Sequence, residues 1–342
     1  MTERDPGIDW IRAICILYIV GFWHLLGYAS AIPDHKNDVT SRLTLVVLAL
    51  FLFVSAHLIR RSFENARLRP APPNTPPATF RADVLRFFRR RLVRIYPPYV
   101  VALLLFDACG LLRRGEFLDA ALLVSAFTGN PPLTLWFITV LMVYLVLTPF
   151  LLLLRQRINP ASLGSRDAWL LLAIYGLSHL LARHVDGPDP RLFFYLPAFA
   201  AGLLAPLRGT AGRTASGREV VWVGLALLGA VVLSIHSGGV SESNVEQMPL
   251  ALFGAWFAYL LVERIADPRR ALPGPVFAVA FASYFIYLLH RPVFWLLTQW
   301  AEPDGPVGQL SYLLLICLPV TIVLSWLGQK GYGQLVRRLS RT

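Results

Sequence analysis

Two ionisable residues, Arg12 and His24, lie inside the first long apolar stretch of the chain, 10–32. Burying such groups in a membrane-spanning helix is costly, and they usually mark a functional site. A neutral imidazole can accept a proton from a hydroxyl near neutral pH and so make that oxygen a nucleophile. The pair therefore predicts acid–base chemistry on a hydroxyl, with His24 as the base.

Four of the seven histidines lie in or at the ends of apolar stretches: His24, His57, His179 and His290. For His57 and His179, the favoured interpretation is a packing histidine bonded to a neighbouring helix. His290 differs because it lies in the aromatic-rich sequence SYFIYLLHRP, which begins at Ser283. It joins His24 as a candidate residue of the site.

Composition indicates a polytopic membrane protein, since 56% of the residues are hydrophobic and 15% are charged. A helix needs about 20 mostly apolar residues to cross a bilayer. Apolar stretches between polar breaks predict an all-α membrane helix bundle of about ten transmembrane helices: 10–32, 43–59, 95–112, 134–154, 168–182, 191–207, 220–236, 247–263, 276–300 and 307–328.

Lys and Arg are distributed unevenly among the connecting segments, and basic loops stay on the cytoplasmic side. With the N-terminus inside, 24 of the 32 Lys and Arg fall in inner segments and six in outer loops. An even number of spans then places both termini in the cytoplasm and the protein in the cytoplasmic membrane. This topology accounts for the net charge of +12, so the expected partner is the lipid bilayer and not nucleic acid.

We expect one membrane domain over 1–342, with no appended soluble domain and with a cytoplasmic Pro/Arg-rich loop at 60–94. The prolines in 69–77 are typical of a surface linker. Ala29-Ser30-Ala31 resembles a signal-peptide cleavage site, but Arg12 interrupts the apolar core that such peptides need. The first span is therefore expected to be retained.

The three cysteines, Cys15, Cys109 and Cys317, are odd in number, widely spaced and embedded in apolar sequence. This pattern predicts neither a metal site nor a disulfide framework.

Five motifs, in order along nearly the whole chain, resemble those of the integral-membrane acyltransferase family 3. They are Asp9-Trp10-Ile11-Arg12 followed by His24, FLFVSAHLI from Phe51, RRRLVRIYPPY from Arg89, LWFI from Leu135 with Tyr144 and Pro149, and Ser283-Tyr284 through His290 and Pro292.

The resemblance implies transfer of an acetyl or other short acyl group from cytoplasmic acyl-coenzyme A to a hydroxyl of a surface sugar, glycolipid or other glycoconjugate. It implies that His24 is the catalytic base and Arg12 its essential partner. It also places coenzyme A, the donor, at the basic approach to the third span, and no metal is expected.

Arginines contact phosphates in bidentate fashion, so the basic residues before the third span suit this donor site. The alternative is anchoring to anionic lipid headgroups, which needs no ligand and is favoured for most of these arginines. For Arg91 and Arg94 the two interpretations are balanced. The candidate coenzyme ligands are Arg90, Arg91, Arg94 and Tyr96.

The first span departs from the family pattern in its spacing. The family usually places ten residues between the arginine and the histidine, whereas eleven separate Arg12 from His24. On an α-helix a separation of 11 positions gives a rotation of about 20°, and one of 12 gives about 120°. We therefore predict a π-bulge between Arg12 and His24, since a bulge absorbs one extra residue and restores the shared face.

Two other departures concern Ala56-His57, where Gly-Phe is common, and Val140-Leu141, where one branch of the family has paired glutamates. His57 either takes part in the site or bonds to a neighbouring helix. Further candidates near the substrate are His290 and three donors to a developing oxyanion, Ser55, Trp136 and Tyr287. Direct transfer and a transient acyl-histidine both remain open.

Two other function classes are compatible with the residues. One is a transporter or flippase for a lipid-linked sugar, in which Arg12, His24 and His290 line the path. The scarcity of carboxylates within the spans argues only against ion-coupled versions. The other is a non-catalytic scaffold of an envelope-assembly complex, in which His24→Ala would leave function intact.

Overall fold

The computed structural model describes residues 5–28, 31, 33–67, 80–113, 115–129, 131–158, 165–206, 215–266 and 271–339. Within these ranges the chain is helical and contains no strand, which confirms the all-α fold. The α-helices are α1 Pro6–Tyr18, α2 Asp38–Arg67, α3 Phe80–Ala108, α4 Glu116–Ala121, α5 Trp136–Ile158, α6 Ser165–His184, α7 Arg191–Phe194, α8 Leu196–Leu204, α9 Gly217–His236, α10 Met248–Ile265, α11 Gly274–Trp300, α12 Gly305–Tyr312 and α13 Leu318–Leu339.

Several helices are suited to a bilayer, so the chain is a multi-pass membrane protein. Within the described ranges, seven segments are long and apolar enough to cross: Pro6–Gly27, Asp38–Asn65, Trp136–Arg155, Gly217–His236, Val245–Ile265, Gly274–Trp300 and Gly305–Leu339.

The expected count of about ten spans is not confirmed. The expected spans 95–112, 168–182 and 191–207 correspond to α3, α6 and the α7–α8 segment, which are not among the seven. α3 is basic in its first half and contains Pro97 and Pro98, while Arg191–Leu204 is a shorter apolar segment.

The described parts of the segment 60–94, residues 60–67 and 80–94, are helical. α2 continues to Arg67, and α3 begins at Phe80, well ahead of residue 95 where the span was expected to start. Charged positions end an apolar stretch in the sequence, but Arg is a good helix former and does not end a helix. The linker 69–77 and two residues of the suggested cleavage site, Ala29 and Ser30, lie outside the described residues.

The first helix begins at a capped terminus and ends in a π turn. The Asp5 carboxylate accepts hydrogen bonds from the backbone N–H groups of Gly7 and Ile8, which stabilises the start of α1. After Tyr18 the helix widens into a π turn at Ile19–Trp23, and the N–H of His24 donates to the carbonyl of Ile19 at 3.0 Å. The predicted π-bulge between Arg12 and His24 is confirmed.

The short helix α8 lies in the centre of the bundle against α2. All its residues from Pro197 to Leu204 are buried. Gly202 is required by the close approach, because a Cβ there would stand 2.1 Å from the backbone oxygen of Phe53. Arg60 of α2 donates to the carbonyls of Leu203 and Ala205 and so satisfies the last turn of α8 inside the protein.

Candidate active site

His24 and His290 form a hydrogen-bonded pair. The π turn places His24 beside α11, where its Nδ1 lies 3.0 Å from Nε2 of His290. The two rings are nearly parallel, with an interplanar angle of 6° and centroids 5.0 Å apart. His290 is fully buried, so the structure brings together the two histidines that the sequence singled out.

A backbone carbonyl that contacts the second nitrogen of His290 determines which nitrogens donate and which accept. Nδ1 of His290 lies 2.8 Å from the carbonyl oxygen of Tyr287. A carbonyl only accepts, so Nδ1 of His290 carries the proton and its Nε2, in the neutral ring, is an acceptor. His24 therefore donates from Nδ1, and Nε2 of His24 keeps a free lone pair, as a general base requires.

A polar cavity of about 230 Å³ adjoins His24. Trp136 and Tyr287, both expected near the substrate, line it together with His24. Ser41 of α2, Arg191 at the start of α7 and Glu242 in the connection between α9 and α10 also line it. Polar side chains from five other parts of the chain thus line the same cavity as the candidate base, His24.

Arg191 and Glu242 were not among the site residues predicted from the sequence. Arg191 follows Asp189-Pro190 at the start of an apolar stretch, where it has the pattern of an interfacial charge. In the structure its Nε donates to Oδ1 of Asp189 at 2.8 Å, and its guanidinium lies 4.3 Å from the centre of the Trp136 ring. Glu242 has no motif around it, so only the fold shows that it reaches this cavity.

Arg12 lies apart from His24. Its Nη2 donates to the hydroxyl of Ser283 at 2.9 Å, and its Nη1 lies 3.8 Å from Oδ1 of Asp9. The separation of twelve positions from Arg12 to His24 corresponds to about 18 Å of helix rise. Since Arg12 contacts Ser283 and His24 contacts His290, α1 and α11 run in the same direction. Arg12 therefore connects the two helices at a point about 18 Å from His24 along the helix axis.

Three arginines of α3 form a basic cleft at another place in the bundle. Arg86, Arg90 and Arg91 line it together with Phe63 and Phe87. The cleft encloses only about 30 Å³. It is therefore a shallow charged surface and not a deep pocket.

The two cavities lie at opposite ends of α2. Ser41 lines the His24 cavity and Ser62 lines the basic cleft. At 1.5 Å per residue these serines are about 30 Å apart, which is the thickness of a bilayer's hydrocarbon core. We call the two sides of the molecule the histidine end and the arginine end.

The expected coenzyme ligands are not all in the cleft. Arg90 and Arg91 line it, whereas Arg94 is exposed and outside the lining. Burial, with a smaller contribution from the charge of Arg94, lowers the pKa of Arg91 to about 10, so Arg91 remains a cation at neutral pH. The hydroxyl of Tyr96 donates to the carbonyl of Ala121 at 2.7 Å and fastens α3 to α4.

Ser55 and His57 of α2 do not line the His24 cavity. The Ser55 hydroxyl donates to the carbonyl of Phe51 in the same helix at 2.7 Å. Nε2 of His57 lies 3.4 Å from the hydroxyl of Tyr259 in α10, so His57 contacts a neighbouring helix. Within the described ranges, no group of three or more His, Cys, Asp or Glu is placed to hold a metal ion.

Comparison with known proteins agrees with the motifs. A family model described as an acyltransferase domain matches residues 5–329, a range that contains His24, His290 and the arginines of α3. No curated protein and no solved structure matches the chain. The chain therefore belongs to the integral-membrane acyltransferase family 3 and is a membrane acyltransferase.

Proposed function

We propose that this protein transfers an acyl group, in the first instance acetyl, from acyl-coenzyme A to a hydroxyl of a sugar or glycoconjugate. The observation that carries the proposal is the series of hydrogen bonds from His24 through His290 to the Tyr287 carbonyl. It fixes the tautomer of His24 and leaves Nε2 as a base, in a residue that lines a polar cavity.

The chemistry needs one proton acceptor and one place for negative charge. His24 takes the proton of the acceptor hydroxyl as its oxygen attacks the thioester carbonyl carbon. The new carbon–oxygen bond forms, the carbon–sulfur bond breaks, and the leaving thiolate takes the proton back from His24. His290 accepts the Nδ1–H bond throughout, so it orients the ring and stabilises the transient imidazolium.

Trp136 is our candidate donor to the developing oxyanion. The hydroxyls of Ser55 and Tyr287, the other two candidates, donate to the backbone carbonyls of Phe51 and Thr134. Trp136 lines the cavity, and no described residue accepts a hydrogen bond from its indole N–H. A donor that is already in place stabilises developing charge without reorganisation.

The arginine end is our candidate donor site. Arg86, Arg90 and Arg91 share one surface with Asp83, which pairs with Arg86 at 3.7 Å, and the remaining positive charge suits the pyrophosphate and 3′-phosphate of coenzyme A. The thioester would then pass between the helices toward His24. Arg12, which joins α1 to α11, would act by fixing the helix geometry along this route.

The topology that fits this scheme has about ten crossings, with α3, α6 and the α7–α8 segment also within the cytoplasmic membrane. Both termini and the arginine end then face the cytoplasm, where acyl-coenzyme A is available. The excess of Lys and Arg in the corresponding segments supports this orientation.

The test is acyl transfer by the purified protein in nanodiscs. We expect release of free coenzyme A from radiolabelled acetyl-coenzyme A only when a cell-envelope glycan extract is added, with the label recovered in the glycan. Movement of glycan across a proteoliposome membrane without coenzyme release would contradict the proposal and support a flippase.

A further inference from the structure

Trp136, Arg191 and Glu242 form one wall of the His24 cavity, and Tyr195, buried behind them, connects them. Arg191 lies over the Trp136 ring, and Tyr195 lies nearly parallel to the same ring at 16°, with centroids 6.0 Å apart. The hydroxyl of Tyr195 donates to Oε1 of Glu242 at 3.4 Å. Trp136 and Tyr195 are buried, so their rings fix the positions of Arg191 and Glu242 at the cavity.

Arg191 and Glu242 line the same cavity but form no ion pair with each other. Arg191 is held instead by Asp189, which is 1% exposed and accepts from Nε. No described residue accepts a hydrogen bond from its two terminal nitrogens. Opposite charges that share a cavity without meeting leave donors and acceptors available for a ligand between them.

The size and charge of the cavity limit what it can hold. The cavity has a volume of about 230 Å³, which gives room for a molecule the size of a single sugar ring. Because Asp189 already matches the charge of Arg191, the wall has no surplus positive charge to attract an acidic sugar.

The cavity is reached from the histidine end. Ser41 lies in the first turn of α2, Arg191 directly follows the connection 185–190, and Ser241 and Glu242 lie in the connection 237–244. All three segments lie about 30 Å along α2 from the arginine end. A molecule entering here approaches His24 from the side opposite to the basic cleft.

We propose that this cavity binds the acceptor as one neutral sugar ring entering from the histidine end, and that Arg191 and Glu242 recognise its hydroxyl groups. Glu242 accepts from two neighbouring hydroxyls with its two carboxylate oxygens, and Arg191 donates to ring or hydroxyl oxygens on the other side. This places one hydroxyl beside His24. The inference rests on the proposed acyl transfer and adds the acceptor class and the residues that select it.

The experiment measures transfer of labelled acetyl groups to glycans of the cell-envelope extract, separated into neutral and acidic fractions by anion exchange. We expect the neutral fraction to accept most of the label. Glu242→Gln removes a charged hydrogen-bond acceptor, so the acceptor concentration at half-maximal rate should rise about tenfold to a hundredfold. Arg191→Lys, which loses the planar fork, should act in the same direction.

Two comparisons make the result specific. Glu246→Gln, an exposed residue in the same region but outside the cavity lining, should change nothing, and the concentration of acetyl-coenzyme A at half-maximal rate should stay the same in all variants. Label mainly in the acidic fraction, or unchanged acceptor dependence in both site variants, would overturn the inference. Absence of any transfer by the unmodified protein would instead refute the proposed acyl transfer itself.

Discussion

His24 and His57 show why the surroundings of a residue decide its role. Both are histidines in helices of the bundle, and each has a hydrogen-bonding partner on another helix. One partner of His57 is the Tyr259 hydroxyl, away from the cavity. The partner of His24 is an imidazole whose own proton is fixed by a backbone carbonyl. Of these two histidines, His24 is the one with a free Nε2 lone pair and a cavity beside it.

His290 is a positioning residue in this account, and His290→Gln tests that role. Glutamine is polar but does not reproduce an imidazole that donates to the Tyr287 carbonyl and accepts from His24. We expect the maximal rate of transfer to fall by about 10²-fold, because the base loses its fixed tautomer. The acceptor concentration at half-maximal rate should stay nearly constant, which steady-state kinetics would show.

A role for His290 in packing alone would give a different pattern. The variant would then lose thermal stability, and the fraction that remains folded would retain its rate. Measuring the unfolding temperature of the same preparation separates the two cases.

At the scale of elements, the π turn Ile19–Trp23 sets the direction of His24. Deleting Gly21 should convert this turn into a regular α-helix while keeping Arg12 and His24 on one face, because the separation becomes 11 positions. Glycine has no side chain beyond its backbone, so the deletion removes few contacts. We expect acyl transfer to be retained within about tenfold, measured as acceptor-dependent release of coenzyme A.

An insertion at the same place is the matched control. One alanine added between Gly21 and Phe22 should rotate His24 by about 100° away from His290 and abolish transfer. Equal activity of the deletion and the insertion variants would show that the π turn does not determine the direction of His24.

The contact between α8 and α2 makes a prediction about stability. A Cβ at Gly202 would lie 2.1 Å from the backbone oxygen of Phe53, and a helix backbone cannot move aside as a flexible side chain can. We expect Gly202→Ala to destabilise the protein by about 1–3 kcal/mol or more. Gly229→Ala in α9, where nothing lies within 4 Å, should be neutral or slightly stabilising. Thermal unfolding in detergent compares the two, and equal unfolding temperatures would contradict the close packing.

At the scale of the whole molecule, the two ends of α2 should face opposite sides of the membrane. In a variant with Cys15, Cys109 and Cys317 replaced, we would introduce one cysteine by Ser241→Cys at the histidine end or by Arg90→Cys at the arginine end. Both positions are exposed. A membrane-impermeant maleimide should label the first in intact spheroplasts and the second only after permeabilisation. Labelling of both from the same side would contradict the proposed topology.

The features that could be predicted from the sequence depend on local spacing. Helical spans, the choice of His24 and His290 as candidate site residues and the π turn all follow from residues close together in the chain. The count of about ten spans stays a prediction, because the apolar stretch of α8 is buried by protein and the segment Arg191–Leu204 is shorter than a clear span. Arg191 and Glu242 could not be predicted, since only the packing of distant segments brings them to Trp136 and Tyr195.

The central claim is that His24 is the base that activates the acceptor. Its most direct test compares acceptor-dependent transfer of labelled acetyl groups by the unmodified protein, His24→Gln and the exposed control His236→Ala in nanodiscs. The account predicts a loss of about 10²-fold or more for His24→Gln, which keeps a polar side chain but has no base, and full activity for His236→Ala. Transfer by His24→Gln at the rate of the unmodified protein would contradict the account.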